Sequence, residues 1–154
     1  MDNPIRRLRG TTGAIALALS FALLFGLGQG GASAAPSSRP EMRRLTNGSR
    51  LSHHRLGLKL NARLSRLALR HSREMARAGE LFHSDNIPRA LRPYRWSAWG
   101  ENVGFTSQSL PVLERMFMHS RPHKENILNR RFAKVGVGVV HRRGVYWVTL
   151  IFYG

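Results

Sequence analysis

Apolar residues recur every three or four positions between Ala62 and Ala78, and this period predicts an amphipathic helix. Its apolar face carries Leu64, Leu67, Ala68, His71, Met75 and Ala78. Arginines repeat on the opposite side, at Arg63, Arg66, Arg70, Arg73 and Arg77. Asn61 suits the N-cap position, and Gly79 suits the position just past the last turn. One side should therefore pack inward, while these five arginines, here called the arginine face, point away from the core.

Weaker helical patterns lie on either side of this helix. Sparse apolar residues over 41–56 predict a first helix, which we expect Gly57 to end. A later helix should end near Ser120, because Pro122 disfavours helical geometry in the residue before it. Residues 123–128 then predict one more helical turn.

The last part of the chain has the pattern of paired strands. Residues 134–141 and Val145–Tyr153 are rich in β-branched and aromatic side chains, and a short polar turn joins them. This pattern predicts a β-hairpin. Gly136 and Gly138 fall on one face of its first strand, which indicates that a helix or a ligand approaches that face closely.

The first 34 residues have the order of a secretory signal. Three arginines precede an apolar run over residues 14–27, and Ala32-Ser33-Ala34 follows as a small-residue cleavage site. The run is shorter than the roughly 18 to 20 residues of a comfortable membrane span, although a retained N-terminal anchor is the alternative. We therefore expect a signal peptide over residues 1–34, a short disordered lead over 35–40, and one folded domain over 41–154. The mature protein should be secreted and lack a transmembrane helix.

The composition gives the chain a strong positive charge and excludes disulfide bonds. There is no cysteine, so the domain must be held by packing alone. Loss of residues 1–34 leaves 25 − 3 = 22 basic and 8 − 1 = 7 acidic side chains, a net charge of about +15. Such a surface should bind polyanions, and export favours an anionic lipid or cell-envelope polymer over nucleic acid. An ordinary solvated face is the alternative for the arginines.

The candidate chemistry centres on Glu101, in the stretch Trp-Gly-Glu-Asn-Val-Gly. His83 lies 18 residues upstream, just past the long helix, and His123 lies 22 residues downstream. If folding brings them together, a carboxylate between two imidazoles can bind a divalent cation or a polar ligand. The alternative is that Glu101 only accepts backbone hydrogen bonds in a turn.

The order of these pieces resembles one known family. A helix ending in His-Ser is followed by Gly-Glu-Asn-Val, by Ser-x-x-His-x-x-Asn-Ile-Leu, and by Val-Gly-Val-Gly with a further strand. This order is similar to the CAP superfamily (cysteine-rich secretory proteins, antigen 5 and pathogenesis-related 1) in its cysteine-free bacterial form, over residues 41–154. The resemblance implies an α+β fold, a three-layer α/β/α sandwich around a small, mainly antiparallel sheet with an open cleft.

The resemblance also implies a ligand cleft. The family's cleft histidines correspond to His83 and His123, and its first acid to Glu101, beside Asn102. The second acid falls at Ser120, where this chain departs from the family pattern, and Glu114 cannot replace it because six helical residues rotate it away. Two imidazoles and one carboxylate form an incomplete site. We therefore expect weak, non-obligatory binding of a divalent metal, zinc above all, by His83 and His123, with Glu101 orienting an imidazole.

Three functions remain open. The first is a secreted binding domain whose cleft takes a metal or a small polar or lipid-like ligand, while the arginine face holds it near an anionic envelope. The second is a metal-assisted, peptidase-like hydrolase with Glu101 as base, and the third is a cationic effector acting on membranes or wall polymers. The family resemblance implies lipid binding and adhesion without one shared activity, so we favour binding over catalysis.

Overall fold

The computed structural model describes residues 38–154. The predicted signal peptide, with its anchor alternative and the first part of the lead, lies outside the described residues. The helices are α1 (Ser38–Ser52), α2 (Ala62–Ala78), α3 (Ile87–Leu91), α4 (Leu110–His119) and α5 (Arg121–Leu128). The strands are β1 (Lys59–Leu60), β2 (Trp99–Thr106), β3 (Lys134–Arg142) and β4 (Val145–Tyr153). No helix in this part of the chain is both long and apolar enough to cross a bilayer.

The four strands form one sheet in the order β1-β3-β4-β2. Strand β1 runs parallel to β3, whereas β3 with β4 and β4 with β2 are antiparallel. The predicted hairpin is β3–β4, and its turn places Arg143 and Gly144 at positive φ, as two-residue hairpin turns require. The small, mainly antiparallel sheet is therefore confirmed.

Helices cover both faces of the sheet. On one face α1, α4 and α5 contribute Met42, Leu113, Phe117 and Ile127 to a core with Val137, Leu150 and Phe152. On the other face α2 and α3 contribute Leu64, Ala68, Met75 and Ile87, packed with Val140, Ile151 and Tyr153. Successive side chains of a strand point to opposite faces, so β4 is apolar along most of its length because both of its faces are covered. The predicted α/β/α sandwich is confirmed.

The strand glycines let α2 lie unusually close to β3. A Cβ atom added at Gly138 would overlap the backbone of Ala68 and Leu69, and one at Gly136 would overlap Leu64. A hydrogen bond crosses the same interface, since the Val137 amide of β3 donates to Ser65 Oγ of α2 at 3.1 Å. The predicted close approach is therefore the packing of α2 on the sheet.

Helix α1 differs from its predicted bounds at both ends. It begins at Ser38, so residues 38–40 of the expected disordered lead are helical. Pro40 is tolerated there, because the amides of a first helical turn have no partner within the helix. The helix ends at Ser52, four residues before the predicted end.

The predicted closing role of Gly57 is wrong. His54 takes the left-handed position instead, with φ 57°. The amides of His54 and Arg55 donate to the carbonyls of Leu51 and Arg50, at 3.0 and 2.9 Å. These two bonds form the Schellman arrangement that satisfies the last carbonyls of a helix.

Candidate functional site

Glu101 lies on β2 with its side chain almost fully buried, at 3% exposure. The amide of Ser84 donates to Oε2 at 2.9 Å, and the Ser84 hydroxyl donates to Oε1 at 2.6 Å. Nδ1 of His83 lies 2.7 Å from Oε2. Both carboxylate oxygens are therefore engaged by two adjacent residues a few positions past the Gly79 cap of α2, and these hydrogen bonds fix that segment against the sheet.

His83 is the exposed member of this pair, with 67% of its side chain accessible. Because a carboxylate oxygen can only accept, Nδ1 of His83 donates this hydrogen bond, and Nε2 is the ring nitrogen that is left for a ligand. The ring borders a cleft of about 140 Å³ between α2 and residues 82–86, which Arg70 of the arginine face also lines. Glu74 and Asp85 line the cleft too, so it carries both signs of charge beside the fixed imidazole.

His123 is half-buried in the first turns of α5. Its Nδ1 lies 2.8 Å from the hydroxyl of Ser120, and its ring packs on Phe117 with 4.9 Å between centroids. Burial, and then the nearby charge of His83, lower the pKa of His123 below its usual value, while the backbone of Val103 acts in the opposite direction. Ser120 lies in extended geometry between α4 and α5, so α4 ends where predicted, although Arg121, the residue before Pro122, is helical.

Asn102 supports the site from behind instead of lining it. Its side chain is fully buried, and Nδ2 donates to the carbonyl of His123 at 3.0 Å. Asn126, one helical turn after His123, donates to Asn102 Oδ1 at 2.9 Å and to the carbonyl of Glu101 at 3.1 Å. Sequence reasoning missed Asn126, although its spacing from His123 places both on one side of α5. These amides fix α5 to β2.

The three predicted side chains do not converge as a three-ligand centre. Within residues 38–154, no three His, Cys, Asp or Glu side chains lie close enough to hold one metal ion. Adjacent β2 residues point to opposite faces, so Glu101 contacts the His83 segment while Asn102 contacts α5. The arrangement is two hydrogen-bonded pairs, Glu101 with His83 and Ser120 with His123.

Glu114 has no part in these two pairs. It is buried where α4 meets α1 and accepts a hydrogen bond from Thr46 at 3.0 Å. Burial raises the pKa of this carboxyl, against the lowering effect of the nearby Ser49 and Thr46 hydroxyls. Its hydrogen-bond partner Thr46 is a residue of α1, so Glu114 is part of the contact between α4 and α1.

The arginine face is present as a surface of α2. Four of its members are exposed and Arg73 is half-buried. None of the five forms a salt bridge with any residue of the described stretch 38–154. On the opposite side of α2, His71 is buried with Nε2 2.8 Å from the carbonyl of Phe82, so it is the core histidine that its apolar surroundings predict.

The fold is a three-layer sandwich, and a carboxylate of its sheet contacts a histidine beside a cleft. This is the class of domain that the sequence resemblance implies. The family model described as cysteine-rich secretory protein family (CAP) matches residues 43–152, and the chain belongs to this family. The match covers most of the described domain. Comparison with curated protein sequences gives no match.

Solved structures share this fold. An extracellular protein containing a SCP domain from Bacillus anthracis is 24% identical with a TM-score of 0.63, over 75% of this chain and 40% of that one. A cysteine-rich secretory protein from Staphylococcus aureus is 25% identical with a TM-score of 0.63, over 77% and 38%. An outer surface protein from Borrelia burgdorferi is 14% identical with a TM-score of 0.70, over 80% and 97%. The chain thus spans about two fifths of the length of the first two proteins.

Proposed function

We propose that this protein is an extracellular binding domain that attaches to an anionic polymer or lipid surface through the arginine face. The observation that carries the proposal is a row of five guanidinium groups along one helix, with no salt bridge to them from any described residue. Helix α2 is 17 residues long, or about 25 Å, so the row can meet several charges of a repeating polyanion at once. The signal-like N-terminus and the secretory family support the extracellular setting.

Binding to poly(glycerol phosphate) and to phosphatidylglycerol vesicles tests this proposal. The variant Arg63→Gln, Arg66→Gln, Arg70→Gln, Arg77→Gln keeps side-chain length and helix propensity but removes four charges from one face. We expect at least tenfold weaker binding. The plot of the logarithm of the binding constant against the logarithm of the salt concentration should also be less steep, by about 0.7 to 0.9 for each lost phosphate contact, the value known for nucleic acids. Titrations at several sodium chloride concentrations measure both quantities.

The matched control carries four exposed arginines elsewhere, as Arg43→Gln, Arg44→Gln, Arg89→Gln and Arg92→Gln. It has the same net charge as the first variant and should keep most of the affinity. An equal loss in both variants would mean that net charge alone drives binding, as in a general cationic effector. Binding that survives molar salt would contradict an electrostatic mechanism altogether.

We also propose that His83 and His123 form a weak site for a divalent cation or a small polar ligand. The hydrogen bond from His83 to Glu101 supports this, because metal-binding histidines commonly donate their other ring nitrogen to a carboxylate. At most two imidazoles are available, which suits an exchangeable ion and not a structural zinc. The cleft beside His83, at about 140 Å³, is below the roughly 300 Å³ of pockets for larger organic ligands, which favours an ion over a lipid.

Equilibrium dialysis with zinc tests this site. His83→Ala with His123→Ala should abolish specific uptake, and Glu101→Gln should weaken it about 10- to 100-fold by loosening the His83 ring. The control is His53→Ala with His119→Ala, which removes two exposed histidines bonded only to their own helices or neighbours. Equal uptake by the unmodified protein and the His83/His123 variant rejects the proposal.

The same contacts favour an orienting role for Glu101 over that of a general base. Its two oxygens already accept hydrogen bonds from Ser84, and Oε2 also contacts His83. A base needs a free lone pair within reach of a substrate proton, whereas this carboxylate is buried behind His83. Binding is therefore the better-supported role of the site.

A further inference from the structure

A second cavity, of about 550 Å³, lies where the end of α1, strand β1 and the segment after α5 come together. Five of its ten lining residues are basic and none is acidic. The basic ones are Arg50, Arg55, Lys59, Arg130 and Lys134. The cavity contains no member of the arginine face and neither cleft histidine, so it is a separate feature of the domain.

Arg50 gives this cavity a buried positive charge, being 1% exposed. Its guanidinium donates to the carbonyls of Leu56 at 2.7 Å, Ile127 at 2.6 Å, Asn129 at 3.0 Å and Phe132 at 3.1 Å. All four acceptors are neutral, and no carboxylate of the described residues forms a salt bridge with it. A guanidinium has five N–H donors, so one donor remains for a further acceptor.

The neighbouring charges increase the repulsion at Arg50. Burial, and then the nearby charge of Arg55, lower the pKa of Arg50 from its ordinary value, and both residues line the cavity. A buried charge without a counter-charge costs free energy that a bound anion would recover. Arg55 also donates to a neutral acceptor, the carbonyl of Leu128 at 3.1 Å, and forms no salt bridge within residues 38–154.

A second like-charge pair comes from the sheet. Lys59 of β1 and Lys134 of β3 are direct partners in the parallel register, and both line the cavity. Like charges opposite each other on neighbouring strands destabilise a sheet. Two independent unfavourable pairs, Arg50 with Arg55 and Lys59 with Lys134, therefore border one hollow.

We infer that this cavity binds a phosphate monoester, a doubly charged oxyanion carried on an organic group. A phosphate can accept hydrogen bonds from a guanidinium and from two ammonium groups together. The volume lies within the range of about 300 to 1,000 Å³ found for pockets of organic ligands. Leu56, Phe132 and Ala133 supply the apolar lining that an organic group would contact.

Nuclear magnetic resonance titrations with three probes test this site and distinguish the sources of the phosphate. The probes are inorganic phosphate, hexyl phosphate, and vesicles of phosphatidic acid in phosphatidylcholine. At physiological salt, hexyl phosphate should saturate, shift the amide signals of residues 54–59 and 130–134, and bind at least tenfold more tightly than inorganic phosphate. Signal shifts along α2 instead, or vesicle binding without saturable binding of hexyl phosphate, would contradict phosphate binding in this cavity.

The variant Lys59→Gln with Lys134→Gln separates binding from folding, because Arg50 itself is too central to the structure to be replaced safely. It should weaken hexyl phosphate at least tenfold, yet raise the Tm of the ligand-free protein by about 2 °C by removing the like-charge pair. The control, Arg66→Gln with Arg70→Gln, should leave hexyl phosphate binding unchanged even if polymer binding is lost. Unchanged affinity in the lysine variant, or equal loss in the control, overturns the inference.

Discussion

Two ionisable side chains, Arg50 on α1 and Glu114 on α4, are buried without an oppositely charged partner among the described residues. Arg50 is held by backbone carbonyls, and Glu114 by the hydroxyl of Thr46. Oε1 of Glu114 has no hydrogen-bond partner. Burial disfavours the charged form of each group, so it raises the pKa of Glu114 and lowers the pKa of Arg50. Burial alone therefore disfavours the charged form of both groups in the folded protein near neutral pH.

Glu114→Gln should stabilise the protein at pH 7. A raised pKa in the folded state means that the stabilising contribution of the carboxyl is complete below its unfolded pKa and is lost as pH rises through its folded pKa. Glutamine keeps the bond from Thr46 but carries no charge, so the gain should be about 1 kcal/mol at pH 7 and absent below pH 4. Urea unfolding at both pH values measures it.

The control is Glu125→Gln, which removes an exposed carboxylate paired with Arg121 and should change stability little at either pH. A Glu114→Gln variant that is less stable at pH 7, or equally stabilised at both pH values, would contradict a buried charged carboxylate.

Among single residues, the sequence predicts which side chains form a pair more readily than which neighbouring residues hold that pair in place. Glu101 and His83 could be paired because a charged residue between glycines and a histidine just past a helix are unusual. Ser84 could not be assigned to Glu101, since its contact depends on how the chain turns after α2. Arg50 could not be distinguished either, because its burial has no signature among 25 basic residues.

Among the elements, the contact between α2 and β3 depends on residues without side chains. Gly136 and Gly138 occur on one face of β3, and both positions lie directly beneath α2. The sequence predicted this approach because glycine in a strand interior weakens the strand unless something packs there. The partner could be either a helix or a ligand until the topology placed α2 above the strand.

Gly138→Ala should destabilise the protein by about 3 kcal/mol, because a methyl group would overlap the backbone of Ala68 and force α2 from the sheet. Gly48→Ala is the matched control, since a methyl group there meets nothing within 4 Å and replaces an exposed helical glycine. It should stabilise the protein by about 1 kcal/mol. Chemical unfolding of both variants measures the difference, and a similar effect at the two sites would contradict this packing.

The boundaries of α1 show where pattern reasoning fails for an element. Gly57 was the expected end because glycine adopts left-handed geometry without strain, yet His54 adopts it at φ 57°. His54 borders the basic cavity, and the turn that it forms brings Arg55 next to Arg50. The position of this turn depends on tertiary contacts of Arg50 that no local pattern reports.

In the whole molecule, charge is unbalanced and few attractive pairs offset it. Residues 38–154 contain three salt bridges, two of which involve a histidine. Residues 35–154 have 22 basic against 7 acidic side chains, and the sequence has no cysteine. Mutual repulsion should therefore oppose folding at low ionic strength.

The Tm should rise by about 5 °C between 20 and 500 mM sodium chloride, because salt screens this repulsion. The arginine-face variant with four glutamines should show a smaller rise, since four of its repelling charges are gone. Differential scanning calorimetry at matched pH measures both shifts. A Tm that falls with salt, or an equal rise in both proteins, would show that repulsion contributes little.

The position of β4 in the sheet also has a consequence for biosynthesis. Among the strands that the structure describes, β2 pairs with β4 alone, and β3 lies on the other side of β4. Yet β2 precedes β4 by some forty residues along the chain. While a ribosome is still translating that interval, the apolar sides of β2 and α2 have no finished sheet to cover them. The nascent polypeptide therefore cannot reach its native state until residue 153 has emerged.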